Sequence, residues 1–294
     1  MSHIIPVVIM TRNEGAYLLK CVQSIINTVT IPYHIYIIDN NSSTLEQEEV
    51  LKIIEYKFND KVNIIRNRTN RWVLGLNKTL IELSKNKEQP YFFLTDGDID
   101  FSRCTAKPCW LSYLVTHMNS NVSLGKIGLS LNWDYISTTK ELAAVYEQER
   151  SLYNESKKIN DLYVSPVDTT AALFRWDWSI EGRPSLYPDH IRYLRPELYS
   201  CRTPLDINVE HMGWYKYCAE SGDTKNLEEK IVCFTMVGGD VKNEILDKVR
   251  FFYKVIYKSL SGPVKKAWYF RRYYYLLKYF LFKGVRRFDG QNCL

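Results

Sequence analysis

Apolar residues in the first hundred positions follow two rhythms. Short β-branched runs at 4–10, 34–39, 62–66 and 91–95 predict buried strands. Between them Leu18, Leu19, Val22, Ile25, Ile26 and Val29 recur at helical spacing, as do Val50, Leu51, Ile54 and Phe58, and a third helix is predicted over 73–84. Strand and helix in alternation predict an α/β fold of βαβ units around a parallel sheet. The ligand crevice of such a sheet lies beyond the carboxyl ends of its strands. That rule singles out Thr11-Arg12-Asn13-Glu14, Asp39-Asn40-Asn41, Asn67-Arg68 and Asp96-Gly97-Asp98.

Beyond Asp100 the pattern is mixed. Strands are predicted at 126–132 and 167–175, a helix at 141–152, and a loop over 181–203, where Pro184, Pro188 and Pro196 break any period. From 248 to 288, Lys and Arg stand among Tyr, Phe and Trp at helical spacing without one Asp or Glu, and Gly262-Pro263 is expected to separate this stretch into a pair of helices. The expected organisation is one α/β domain over 1–247, divided near residue 100, and a basic, aromatic helical tail over 248–294.

Composition narrows the class. At 294 residues, 46% hydrophobic and 24% charged, with 13 Gly and 10 Pro, the chain is neither disordered nor collagen-like. Seven cysteines without a C-x-x-C pair point to a reduced, cytoplasmic setting. They are read as small buried apolar residues. The apolar start lacks a basic flank and a cleavage site, so it reads as a strand and not a leader. No stretch approaches the roughly 18 apolar residues of a transmembrane helix.

The net charge of +6 hides an asymmetry. Twelve cations fall within 248–288, which leaves 27 Lys and Arg against 33 Asp and Glu elsewhere, about −6. Basicity is therefore a property of the tail, and cations interleaved with aromatics suit an anionic membrane surface, the inner face of a membrane in a cytoplasmic setting. A helical pair packed on the domain with a solvated basic face is the alternative. No RNA module accompanies the charge, so no nucleic-acid partner is expected.

The strongest chemical signal is YFFLTDGDIDF at 91–101, a buried strand that runs straight into two carboxylates spaced D-x-D. A hard divalent cation, Mg²⁺ or Mn²⁺, needs oxygen ligands presented together at such an exposed end, and beside a nucleotide diphosphate it needs few from the protein. Asp98 is the first choice for the metal, with Asp96 reaching ribose or a metal-bound water; Asp100 is a third ligand or a turn residue. Acidic residues around Gly97 also serve simply to end a strand and start a turn. The chain has no G-x-G-x-x-G after its first strand and no G-x-x-x-x-G-K-[ST], which removes the main support for a dinucleotide dehydrogenase or a P-loop enzyme.

T-R-N-E after the first strand, D-N-N-S-S after the second, N-R-W-V-L-G-L-N-K at 70–78 and T-D-G-D after the fourth make an ordered set. In that order the chain resembles the family 2 glycosyltransferases of the GT-A fold, closely over the first hundred residues and more loosely over 167–215. The resemblance implies a Rossmann-like nucleotide-binding half over 1–100, an acceptor half over 101–247 and a nucleotide-diphosphate sugar as donor. By position it implicates Thr11, Arg12, Glu14, Asp39, Asn70, Gly75 and Asp96 in nucleotide binding and Asp98 and Asp96 in metal binding. Asp39 can accept the imino N–H of uracil, which favours UDP, and Arg12 can face ribose or phosphate. Taken singly these residues have ordinary roles: Asn13 and Asn40 as turn formers, Asn41 or Ser42 as a helix cap, Arg12 as a surface residue.

In such enzymes an acidic residue, often in an E-D pair opening a helix, deprotonates the acceptor hydroxyl. Asn208-Val209-Glu210-His211-Met212-Gly213-Trp214-Tyr215 resembles that element with His in place of Asp, which makes Glu210 the leading base and His211 a metal ligand or a packing histidine. The segment 167–175 resembles the strand lining the donor sugar, so Asp168 is the alternative base or a sugar-hydroxyl ligand. Trp214 is expected near the acceptor. The implied activity is metal-dependent, inverting transfer of a sugar to a glycan or a lipid-linked glycan. The rivals are a sugar-nucleotidyltransferase, which would carry a Gly-rich basic first loop, and a non-catalytic scaffold that displays the tail at a membrane.

Overall fold

The computed structural model describes residues 4–86, 89–121, 124–167, 170–176, 200–216, 224–241 and 243–284. Strand β1 (Ile5–Thr11) is apolar on both faces because each face is covered. Val7 and Ile9 join one cluster with Leu18, Cys21, Val22 and Ile25 of helix α1 (Ala16–Thr28), while Val8 joins a second with Leu76 and Leu80. Alternation along the strand thus feeds two separate layers. After α1 come β2 (Tyr33–Asp39), α2 (Leu45–Phe58), β3 (Val62–Arg66), a 3₁₀ turn at Trp72–Leu76, α3 (Asn77–Leu83) and β4 (Tyr91–Asp96). Thr44 caps α2, its side chain accepting from the Gln47 amide.

These four strands are parallel, in the order β3-β2-β1-β4. The chain winds outward from β1 to β3 and returns to β4 on the other side of β1, so the topological switch point lies between β1 and β4. Register opposes Thr11 to Asp39, Asp39 to Arg66 and Met10 to Asp96, which brings the polar residues after all four strands to one edge.

The second half continues with β5 (Ile99–Asp100), α4 (Trp110–Ser120), β6 (Lys126–Gly128), β7 (Ser130–Leu131), α5 (Asp134–Thr138), a 3₁₀ turn at Lys140–Leu142 and α6 (Ala143–Arg150). There follow β8 (Lys158–Ile159), β9 (Leu162–Val164), β10 (Ala172–Arg175), β11 (Ser200–Arg202), β12 (Asn208–His211) and α7 (Gly213–Lys216). Strand β10 lies antiparallel to β4 and β6, and among the described residues the large sheet runs β3-β2-β1-β4-β10-β6-β11-β9-β8. A smaller sheet, β5-β12-β7, stands at the mouth of the switch point. The last helices are α8 (Thr224–Val237), α9 (Asn243–Asp247) and α10 (Phe251–Lys283). Ile231, Leu246 and Val249 bury one apolar cluster among these three, flanked by Tyr253 and Tyr257.

The α/β class with a mixed sheet flanked by helices agrees with the sequence, and several local expectations are corrected. The third helix opens as a 3₁₀ turn, because Asn40 Nδ2 donates to the Trp72 carbonyl and Asn67 Nδ2 to that of Gly75, bonds that compete with an α-helical ladder. The strand expected over 126–132 breaks at Leu129, where β6 leaves for the large sheet and β7 for the small one. Within the expected loop, Ser200–Arg202 is a buried strand parallel to β6. Gly262-Pro263 does not divide the tail: α10 is one helix of 33 residues. Packing along α8 and α9 holds it through the lost proline hydrogen bond. Gly238, at φ 72, ends α8, and the Gly239 amide returns to the Phe234 carbonyl at 2.7 Å.

Candidate active site

The D-x-D turn is fixed from both sides by backbone. The Gly97 amide donates to the Met10 carbonyl and the Met212 amide to the Asp98 carbonyl, both at 2.9 Å. Strand β12 pairs with β5, placing His211 opposite Ile99 and Glu210 opposite Asp100. The consequence is a convergence: one ligand atom each from Asp96, Asp98 and His211 lie within 4.8 Å of one another. His211 Nδ1 stands 4.0 Å from Asp98 Oδ2, and its ring stacks on Trp214 with centroids 4.9 Å apart. Asp98 Oδ1 and His211 Nδ1 are buried and accept no hydrogen bond from the described residues.

Three residues to which the motifs gave no role support this region, Thr170 and Gly213 at the cluster and Gln47 beneath it. Thr170 Oγ1 donates to Asp96 Oδ2 at 2.8 Å, orienting that carboxylate. Gly213 lets the backbone approach Asp98: a Cβ there would overlap Asp98 Oδ2 and stand 2.9 Å from His211 Cε1. Gln47 reaches back from α2, its Oε1 accepting from the Glu14 and Gly15 amides and its Nε2 donating to Thr11 Oγ1 at 3.2 Å.

Thr11 and Glu14 form one unit beneath the turn, the Thr11 hydroxyl donating to Glu14 Oε2 at 2.7 Å. Burial pushes the Glu14 carboxyl well above its usual range, and the charges of Asp98 and Asp96 add to it against the Thr11 hydrogen bond and Lys216. Asp39 is 4% exposed; the Ser42 hydroxyl and amide both donate to it, while Ser42 Oγ accepts from the Asn13 amide at 3.0 Å. Asn13 and Asn41 take the left-handed backbone of turn residues, at φ 56 and 61. Gly75 packs against Asn40 and Asn67, and the Asn40–Asn67 hydrogen bond of 2.9 Å ties the ends of β2 and β3 to the 3₁₀ turn. Asn70 caps that turn through the Trp72 amide. Both Asn70 and Arg12 turn toward Glu229 of α8, at 2.8 and 3.4 Å.

Asp100 does not join the cluster. It accepts from the Ser102 amide at 2.9 Å and pairs with Lys20 at 3.0 Å, which holds its carboxyl below the usual range despite burial. Glu210 follows β12 alternation onto the Asp100 face, opposite to His211, where it accepts from the Tyr215 hydroxyl. Burial and that hydrogen bond push Tyr215 up to about 12. Asp168 lies outside the described residues, as do Trp178, Cys218 and Cys293; the described cysteines are unpaired, four of them buried. Trp176 is core, its ring tilted against Phe92 with centroids 4.0 Å apart, and Trp133 packs on Tyr146 and Tyr153.

The family described as Glycosyl transferase family 2 matches residues 7–173, the span that carries β1 to β4 and both acidic residues of the turn. No curated protein matches the chain. Among solved structures, GalNAc-T7 with UDP, GalNAc and Mn²⁺ superposes with a TM-score of 0.56 at 14% identity, over 99% of this chain and 58% of that one. The mannosyltransferase PcManGT from Pyrobaculum calidifontis, in complex with GDP-Man and Mn²⁺, gives 0.47 at 11% identity over 98% of this chain and 77% of that one. TarS 1–349 of S. aureus gives 0.45 at 11%, over 99% and 75%.

Proposed function

This chain belongs to glycosyl transferase family 2, and from that premise we propose that it transfers a sugar from a nucleotide-diphosphate sugar to a hydroxyl of a glycan or lipid-linked glycan, with inversion at the anomeric carbon. The observation that carries this reading is the meeting of Asp96, Asp98 and His211 at the switch point of the sheet. Two carboxylates and an imidazole suit Mn²⁺ or Mg²⁺, and the unpartnered Asp98 Oδ1 and His211 Nδ1 are the atoms such an ion would take up. When bound, the ion supplies the counter-charge that the leaving diphosphate needs and that no glycine-rich cradle provides.

The chain's own groups do the rest. Thr170 orients Asp96, and Trp214 holds the His211 ring plane. Asp39 keeps an acceptor site on each oxygen beyond those filled by Ser42, enough to take the imino N–H of uracil, so UDP-sugars are favoured. The acceptor hydroxyl gives its proton to a carboxylate of the second half, Glu210 or Asp168. Alternation of β12 turns Glu210 away from His211, and Asp168 is the alternative.

Calorimetry with Mn²⁺ and UDP tests the reading, followed by a turnover screen of UDP-, GDP- and dTDP-sugars. Heat with UDP only when Mn²⁺ is present is the expected result; nucleotide binding indifferent to the metal would refute the metal-dependent mechanism. Gly213→Ala is expected to weaken Mn²⁺ binding about tenfold, the equivalent of one mispositioned ligand contact. Unchanged metal affinity in that variant would remove the close approach of Gly213 from the site.

We further place the enzyme at an anionic membrane surface. No helix among the described residues is long and apolar enough to cross a membrane. Yet α10 exposes Phe252, Phe270, Leu277, Leu281 and Phe282 by 59% or more, with Lys258 and Lys266 exposed beside them. Two copies of this face would set cation against cation, which favours lipid over self-association. Sedimentation with phosphatidylglycerol vesicles, but not phosphatidylcholine vesicles, is expected, and Lys258→Glu, Lys266→Glu and Phe270→Glu together should abolish it. Equal sedimentation of that triple variant would exclude the helix face from membrane contact.

A further inference from the structure

Glu229 lies on α8, outside the 7–173 span that the family matches. Its Oε2 nevertheless accepts from Asn70 Nδ2 at 2.8 Å and stands 3.4 Å from Arg12 Nη1. Arg12 and Asn70 are two of the residues that the family resemblance implicates in nucleotide binding, and any role of Glu229 in donor binding rests on that reading. Position along the sheet edge then decides what Glu229 meets. The metal-binding cluster sits over β4 and β12, whereas Arg12, Asn40 and Asn67 follow β1, β2 and β3 in the direction away from it. A nucleotide with its diphosphate at the cluster directs ribose and base toward the Arg12–Asn70 side.

Charge narrows the choice further. A carboxylate beside a phosphate repels it, whereas beside ribose it is an acceptor for two hydroxyl donors. The space is also present. A cavity of about 760 Å³ lies between the first 3₁₀ turn and α8, lined in part by Asn70, Trp72, Gly75, Glu229, Val232 and Tyr253, within the range of small-molecule sites. Its two walls are fastened to each other: Cys233 Sγ donates to the Arg71 carbonyl at 3.6 Å, and Lys230 Nζ lies 5.4 Å from the centre of the Trp72 ring.

We propose that Glu229 is a specificity-determining residue of the donor site, accepting hydrogen bonds from the 2′- and 3′-hydroxyls of the donor's ribose. The helical unit α8–α10 thereby supplies the outer wall of the nucleoside pocket, a role beyond surface attachment. A donor lacking the 2′-hydroxyl leaves one charge-assisted hydrogen bond unmade, which corresponds to about a tenfold loss of affinity or more.

Calorimetric titration of the full chain in Mn²⁺ with UDP and 2′-deoxy-UDP, and with GDP and 2′-deoxy-GDP, tests this. The unaltered protein is expected to prefer the ribonucleotide about tenfold, and Glu229→Gln is expected to lose that preference while its Mn²⁺ affinity stays the same. An undiminished preference in Glu229→Gln overturns the inference. So does tighter UDP binding by the variant, the outcome if Glu229 merely blocks the cleft. Arg12→Ala and Asn70→Ala separate the two levels. If they weaken UDP binding while Glu229→Gln leaves the preference intact, only the role of Glu229 fails; if they too leave UDP binding unchanged, the donor-site reading fails with it.

Discussion

Asp98→Ala is expected to reduce metal-dependent sugar-nucleotide turnover by roughly 10²–10³-fold, the scale on which removing one group that stabilises developing charge acts. The loss should appear in turnover and in the heat of Mn²⁺ binding together, because Asp98 is the central member of the cluster: it faces His211 at 4.0 Å and fills the space that Gly213 leaves open. The fold should survive. What fixes the turn is backbone, the Gly97 amide on Met10 and the Asp98 carbonyl on Met212, and neither bond involves the deleted carboxylate. Burial is the main cause of the raised Glu14 carboxyl and the Asp98 charge a second one, so removing that charge lessens a repulsion and thermal stability should not fall. Full activity in Asp98→Ala, with a normal melting profile, would take the D-x-D turn out of the mechanism.

Trp110→Ala is expected to cost about 3–5 kcal/mol of stability, the usual range for deleting a fully buried large aromatic. Trp110 is 1% exposed, stacks on Phe101 at 4.6 Å and packs tilted against Phe93 at 4.7 Å, while its indole N–H donates to the Thr28 hydroxyl at 2.9 Å. Truncation therefore leaves a cavity and, at the C-terminal end of α1, a Thr28 hydroxyl oxygen that has lost its donor. Phe101 directly follows β5, which follows the turn, so the same packing supports the metal cluster from behind. Urea unfolding would show the loss as a lower midpoint; a shift equivalent to less than about 1 kcal/mol would mean that the site collapses without a cavity.

The first hundred residues were legible because β1 and β4 are buried on both faces and announce themselves as apolar runs. Asp96 and Asp98 stood out because carboxylates at the end of such a run are costly without a purpose. What could not be read is what depends on pairing between distant segments. Ser200–Arg202 is too short to show a period, and only its register with Lys126–Gly128 makes it a strand. Thr170 and Gly213 meet Asp96 and Asp98 across separations of 74 and 115 residues, which no local motif encodes. Glu229 belongs to no motif of the sequence, and only the fold sets it against Arg12 and Asn70. The tail misled through Gly262-Pro263, where tertiary packing outweighs a strong local breaker.

That unbroken helix has a geometric consequence. At about 1.5 Å per residue, the 33 residues of α10 form a rod of roughly 50 Å, wider than most small domains. Lying flat on a bilayer, such a rod would remove tilt and roll about its long axis, and α8 would pass that alignment to the catalytic edge. The reaction would then run at a set height above the lipid plane, in two dimensions instead of three. An acceptor would be chosen by how far its hydroxyl stands from the surface as much as by its chemistry.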